Sequence, residues 1–204
     1  MYRLITGCGR SGTKYITKVL ELSGLDVKHE GFGKDGSVSW PLAVNADEYP
    51  EYHEEVFKLP KFDVVLHQTR HPLKTIKSFM VVASPSSWNF VYNHTPITED
   101  MSLLDRAVRY WYYWNLQAES IADMTYRIEN LKGRWEEFCG MLKIKLPYRK
   151  LREIPKNTNT KPKTKSHRKK LRRKSEFVKW SRIKRETGFY NRVVKLGRKY
   201  GYKI

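Results

Sequence analysis

The chain has 204 residues, 40% hydrophobic and 13% aromatic, with a formal net charge of +19. That length and apolar content suit one folded domain with a real core and exclude a disordered polyelectrolyte, and no run approaches the ~20 apolar residues of a membrane-spanning helix. The charge is unevenly placed: from Lys143 onward 24 Lys and Arg face three acids, Glu153, Glu176 and Glu186, whereas the first 142 residues carry 16 basic and 18 acidic side chains.

A near-neutral globular part is therefore followed by a strongly basic last third. Such a segment is either a polyanion-binding surface or an ordinary solvated one, and composition weighs the two equally. The N-terminus lacks the charged, apolar and small-residue pattern of a secretory leader. Cys8 and Cys139 are far apart and form no zinc pattern. A reducing, cytoplasmic setting and no metal site are expected.

Tyr2 to Thr6 reads as a short buried strand. A glycine loop follows, GCGRSGTKY from Gly7 to Tyr15, and then a helix over Thr13 to Leu22 with apolar residues at helical spacing and Gly24 as its C-cap. Leu25 to His29 reads as a second strand, ending in His29-Glu30, and GFGKDGSVSWP reads as loop or turn from its glycines and proline. Phe62 to Leu66 is a continuous apolar run, the signature of a central parallel strand. It leads through HQTRHP, with Pro72 suited to a helix first turn, into the helix LKTIKSFMVV.

Leu103 to Met124 reads as a long helix rich in aromatics, whose Tyr110 to Trp114 stretch is expected in the core rather than at a ligand. A strand at Tyr126 to Ile128 and a helix near Trp135 to Leu142 follow. The whole chain, 1–204, reads as one domain, with 147–175 a basic, proline-punctuated loop and 176–204 a C-terminal helical segment. Strands alternating with helices predict an α/β fold with a parallel sheet flanked by helices.

The glycine loop sits between a strand and a helix N-terminus, where backbone amides and the helix dipole favour an anion. Gly7, Gly9 and Gly12 permit a tight turn, Ser11 and Thr13 add hydroxyls, and Arg10 and Lys14 add charge. The nucleotide-triphosphate loop is G-x-x-x-x-G-K-[ST], lysine before hydroxyl; here Thr13 precedes Lys14. Triphosphate chemistry also needs a strand-end acid for Mg²⁺, and the FDVVLHQTR strand exits instead through His67, Gln68, Thr69 and Arg70. Arg70 at that exit and Ser78 on the following helix can clamp a second anionic group.

Together these residues resemble the sulfotransferases that use 3′-phosphoadenosine 5′-phosphosulfate, in particular the small bacterial and viral members. The family's first phosphate loop is similar to Arg10-Ser11-Gly12-Thr13, and its second site to TRHPLKTIKS, with Arg70, Pro72 and Ser78. RYWYYWN (Arg109 to Asn115) resembles the W-x-x-W-N helix of tyrosylprotein-type members. YRIENL resembles their Y-E-D-L segment with Asn130 in place of the acid, and GRKYGY resembles the family tail. The likeness covers residues 1 to about 140 well and the basic segment poorly.

The resemblance implies a P-loop NTPase-like fold and metal-independent sulfuryl transfer to a hydroxyl, less readily an amine, of a carbohydrate or other small acceptor that is itself polyanionic in one version. It implies that Gly9, Arg10, Ser11, Gly12, Thr13 and Lys14 hold the 5′-phosphosulfate and that Arg70 with Ser78 holds the 3′-phosphate. Lys165, His167 or Arg168 of the late basic loop would close over it, and adenosine 3′,5′-bisphosphate would be the product. Arg10 would also stabilise the transferring group. Glu30 is the expected general base and His29 its rival, the latter with an ordinary pKa better suited to neutral pH. Trp40 is expected to stack on the adenine, line the acceptor pocket or simply pack. The competing readings are a P-loop kinase and a basic nucleic-acid-binding protein.

Overall fold

The computed structural model describes residues 1–45, 60–155 and 178–204. Five short strands, β1 (Arg3–Thr6), β2 (Val27–His29), β3 (Gly36–Val38), β4 (Val64–Thr69) and β5 (Met124–Arg127), form one sheet in the order β2-β3-β1-β4-β5. Every pairing is parallel. The helices are α1 (Thr13–Leu22), α2 (Pro72–Val82), α3 (Pro85–His94), α4 (Leu103–Ser120), α5 (Trp135–Leu142), α6 (Trp180–Glu186) and α7 (Tyr190–Lys199).

Alternation along β1 explains the layering. Leu4 and Ile5 point to opposite faces, as successive strand residues must. Leu4 joins a core built with α2, α3, α4, α6 and α7, and Ile5 joins a second core with α1 and α5. Helices thus cover both faces of an α/β sheet, as a fully parallel sheet requires. Among the described residues no helix is long and apolar enough to cross a membrane.

Four elements differ from the expectation. The segment read as loop, GFGKDGSVSWP, contains β3, which inserts between β2 and β1. Its strand character comes from tertiary pairing: only six residues separate β2 from β3, fewer than an ordinary parallel crossover uses. Gly36 makes the insertion feasible. Its φ is 143°, and a Cβ there would stand 2.1 Å from the Arg3 carbonyl oxygen.

β4 runs to Thr69, so His67, Gln68 and Thr69 are fully buried strand residues and only Arg70 brings charge to the exit. The single C-terminal helix expected from periodicity is two, α6 and α7, broken at Thr187–Phe189 around Gly188. α3 carries no clear periodic signature in the sequence. It begins at Ser84, whose hydroxyl accepts the Ser87 amide at 3.2 Å as an N-cap.

The sheet order positions the site. From β1 the chain builds β2 and β3 on one side and β4 and β5 on the other. The glycine loop therefore leaves β1 at the point where the direction of winding reverses, the usual ligand crevice of open α/β sheets.

Candidate functional site

The loop after β1 is held from beneath. Gly7 has a φ of 146° and passes so close to β4 that a Cβ would lie 2.2 Å from the Gln68 carbonyl oxygen. The Gln68 side chain, itself accepting Tyr126 Oη–H at 2.7 Å, donates from Nε2 to the Ser11 carbonyl at 3.0 Å. The Gly9 amide donates to the Tyr110 hydroxyl at 2.7 Å. Asn115 Nδ2 donates to Cys8 Sγ at 3.2 Å and to the Trp111 carbonyl at 2.6 Å. Tyr110 and Asn115 both come from α4 and are fully buried. The aromatic helix is core, as expected, and it also fixes the loop, which its aromatic composition did not reveal.

At its front the loop starts α1. Gly12 is the N-cap residue in a left-handed conformation and no side chain caps the helix. The amides of Thr13 and Lys14 have no carbonyl one turn back to bond, which leaves them as donors. Arg10, with φ 75°, is an uncommon left-handed non-glycine residue. Its Nε donates to Ser78 Oγ at 3.0 Å, while Arg70 Nη1 donates to the Arg10 carbonyl at 2.9 Å. Burial first, and then Arg70's like charge, disfavour the Arg10 cation and push its pKa below the ordinary value. Among the described residues neither guanidinium is paired with a carboxylate.

These groups open onto a cavity of about 390 Å³. Gly9, Arg10, Gly12, Thr13, Lys14 and Arg70 line one side; His29, Glu30 and Trp40 from the ends of β2 and β3 line another; Phe79, Val82, Ala83 and Ser87 form an α2–α3 wall. Glu30 follows β2 in a left-handed conformation, φ 52°. Its Oε2 accepts the Ser39 hydroxyl at 2.7 Å. His29 Nε2 lies 2.9 Å from Thr13 Oγ1 and 3.6 Å from Glu30 Oε1. Burial, then Lys14 and Arg10, lower the His29 pKa to about 4, so its ring is neutral at pH 7. The argument from an ordinary histidine pKa therefore does not hold at this position.

The structure thus brings together Gly9, Arg10, Gly12, Thr13, Lys14, His29, Glu30, Arg70 and, through Arg10, Ser78. Ser11 is turned inward: it is fully buried, with its Oγ 3.4 Å from Gln68 Nε2. Lys165, His167 and Arg168 lie outside the described residues. Trp40 lines the cavity yet is only 5% exposed, with Trp114 Nε1 donating to its carbonyl at 2.9 Å, so most of the ring packs.

Sequence reading missed the contribution of the C-terminus. Tyr202 Oη bonds Thr69 Oγ1 at 3.1 Å and Glu129 Oε2 at 3.2 Å, and Glu129 Oε1 accepts the His71 amide at 3.0 Å. A carboxylate thus sits at the N-terminus of α2, directly after Arg70, a stabilising place for negative charge. The YRIENL likeness pointed to this segment but not to what its glutamate holds. Comparison with protein-family models, curated proteins and solved structures finds no match for this chain.

Proposed function

We propose that the chain is a sulfotransferase on a P-loop-like α/β fold. It moves a sulfuryl group from 3′-phosphoadenosine 5′-phosphosulfate to an acceptor hydroxyl, with carbohydrates the favoured acceptor class. One observation carries the reading: Arg70 donates to the Arg10 carbonyl and Arg10 to Ser78, so the two cations are held together without a carboxylate partner among the described residues and beside an uncapped helix N-terminus. Two adjacent cations destabilise each other until an anion arrives.

The residues fit a bis-anionic nucleotide. The α1 amides with Lys14 suit its 5′ end, and Arg10, Arg70 and the Ser78 hydroxyl suit a 3′-phosphate. Because Arg10 Nε donates to Ser78, the serine proton stays available to an anion. Bound there, the cofactor supplies an activated sulfuryl group. In transfer, the acceptor oxygen bonds to sulfur, the bond from sulfur to the bridging oxygen breaks, and that oxygen leaves with the nucleotide phosphate.

Glu30 accepts the acceptor's proton. It borders the cavity, and Ser39 orients one of its oxygens. His29 holds Thr13 beside it and is neutral at pH 7. Lys14 and the helix amides stabilise the charge that develops during transfer. A kinase is disfavoured because β3 and β4, the neighbours of β1, exit through Ser39-Trp40 and Thr69-Arg70 and not through an acid; among the described residues the carboxylate at the cavity is Glu30, which follows the edge strand β2 and accepts from Ser39.

The test is thermal denaturation with adenosine 3′,5′-bisphosphate and no divalent cation. Ligand at 100 times its Kd stabilises by about 2.7 kcal/mol. A raised Tm is expected. No shift at saturation, or a shift with ATP and Mg²⁺ alone, would overturn the proposal.

A further inference from the structure

The C-terminal unit carries a charge the cavity does not use. Residues 178–204 hold nine Lys and Arg and one acid, Glu186. Arg182 at 2.7 Å and Arg185 at 2.5 Å share that glutamate, and Lys199 pairs with Glu119 of α4 at 2.6 Å. Lys179, Lys184, Arg192, Lys195 and Lys203 have no carboxylate partner among the described residues. α7 buries Val193, Val194, Leu196 and Gly197 on its inward side. Its outward side shows Arg192, Lys195, Arg198 and Lys199, a basic stripe roughly 10 Å long at 1.5 Å per residue. Like charges three and four residues apart destabilise a helix, and an external anion offsets that cost.

Aromatic residues of the same segment pack against the residue that follows Arg70. The Trp180 and Tyr202 rings stand 6.3 and 5.5 Å from the His71 ring, and His71 follows Arg70. We infer that α6 and α7 form the docking surface for an acidic polysaccharide, whose chain lies across the two helices and presents hydroxyls to the cavity. The choice of an acceptor-bearing chain rests on the sulfuryl-transfer reading; the docking surface itself does not.

The structure favours a glycan over nucleic acid. Two aromatic rings of this surface that could stack on unpaired bases carry cations instead: Arg109 and Arg192 lie over Phe189 at 4.2 and 5.0 Å, and Lys184 lies over Tyr190 at 5.9 Å. What remains outward is an array of ammonium and guanidinium groups suited to sulfates and carboxylates spaced along a flexible chain.

The experiment compares the full chain with a Lys179→Gln, Lys195→Gln, Lys203→Gln variant, all three exposed positions. Binding of fluorescein-labelled heparin is followed by anisotropy from 50 to 300 mM salt, with an unlabelled DNA duplex of equal charge as competitor. The variant should bind heparin at least ~10-fold more weakly at low salt, with a log–log salt slope shallower by about 2, since each lost contact removes somewhat under one unit. Its Tm without ligand and its Tm shift with adenosine 3′,5′-bisphosphate should be unchanged, which separates this surface from the cavity. Unchanged heparin affinity and slope would overturn the proposal. So would a duplex that displaces heparin at equal charge and loses affinity in the variant to the same extent, because the surface would then be a nucleic-acid site.

Discussion

Tyr110→Phe removes one oxygen and keeps the ring. The ring is stacked on Phe79 with centroids 3.8 Å apart and meets Trp40 edge-on at 6.1 Å, so packing should survive the change. What is lost is the acceptor for the Gly9 amide, a 2.7 Å bond at a fully buried phenol. An orphaned buried donor costs about 1–3 kcal/mol. In a chain of this length each kcal/mol lowers Tm by roughly 2–4 °C, which gives an expected drop of about 4–8 °C for the middle of that range.

The loss should also reach the ligand, because Gly9 and Arg10 line the cavity. Release of the Gly9 tether should weaken adenosine 3′,5′-bisphosphate by about tenfold, equivalent to about 1.4 kcal/mol of preorganisation. Calorimetric melting and ligand titration read both effects. A variant that melts within 1 °C of the parent and binds the bisphosphate equally well would refute the claim that this hydrogen bond shapes the loop.

Other outcomes follow from the same structure. Arg70→Ala should abolish most of the bisphosphate-induced Tm rise; retained affinity would remove Arg70 from the site. His29 and His67 are both lowered to about 4, below the ordinary 6.5, first of all by burial. The unfolded chain therefore takes up protons before the folded one does, and stability should fall as pH drops from 6.5 toward 4, by about 3 kcal/mol for fully buried His67. His67→Gln should flatten that slope, and an identical slope in the variant would mean that His67 does not set it. Gly36→Ala places a Cβ 2.1 Å from the Arg3 carbonyl in a left-handed conformation, and should destabilise by more than about 3 kcal/mol in urea unfolding. Tyr202→Phe removes the hydroxyl shared by Thr69 and Glu129 and should lower stability by about 1–2 kcal/mol with a measurable loss of bisphosphate affinity.

The sequence by itself determined the local parts. A strand, a glycine turn and a helix start announced an anion loop at residues 7–15, because glycines, hydroxyls and cations at that junction have a local physical meaning. The apolar run before Arg70 announced a central strand, and Trp135–Leu142 showed its helix directly. Glu30 was singled out through the family resemblance, which expects a glutamate at the end of the second strand, and the structure sets its side chain at the cavity. β3 was not legible, since three residues become a strand only when two neighbours pair with them. Nor was the tether of Gly9 to Tyr110, which joins residues about a hundred positions apart, nor the contact of Arg10 with Ser78 that merges two expected subsites into one cationic wall. The His29 pKa was likewise decided by burial and by Lys14 and Arg10, which only the folded chain brings beside it. Short-range chemistry can be read along the chain, whereas distance, burial and the company of like charges exist only once the sheet has closed.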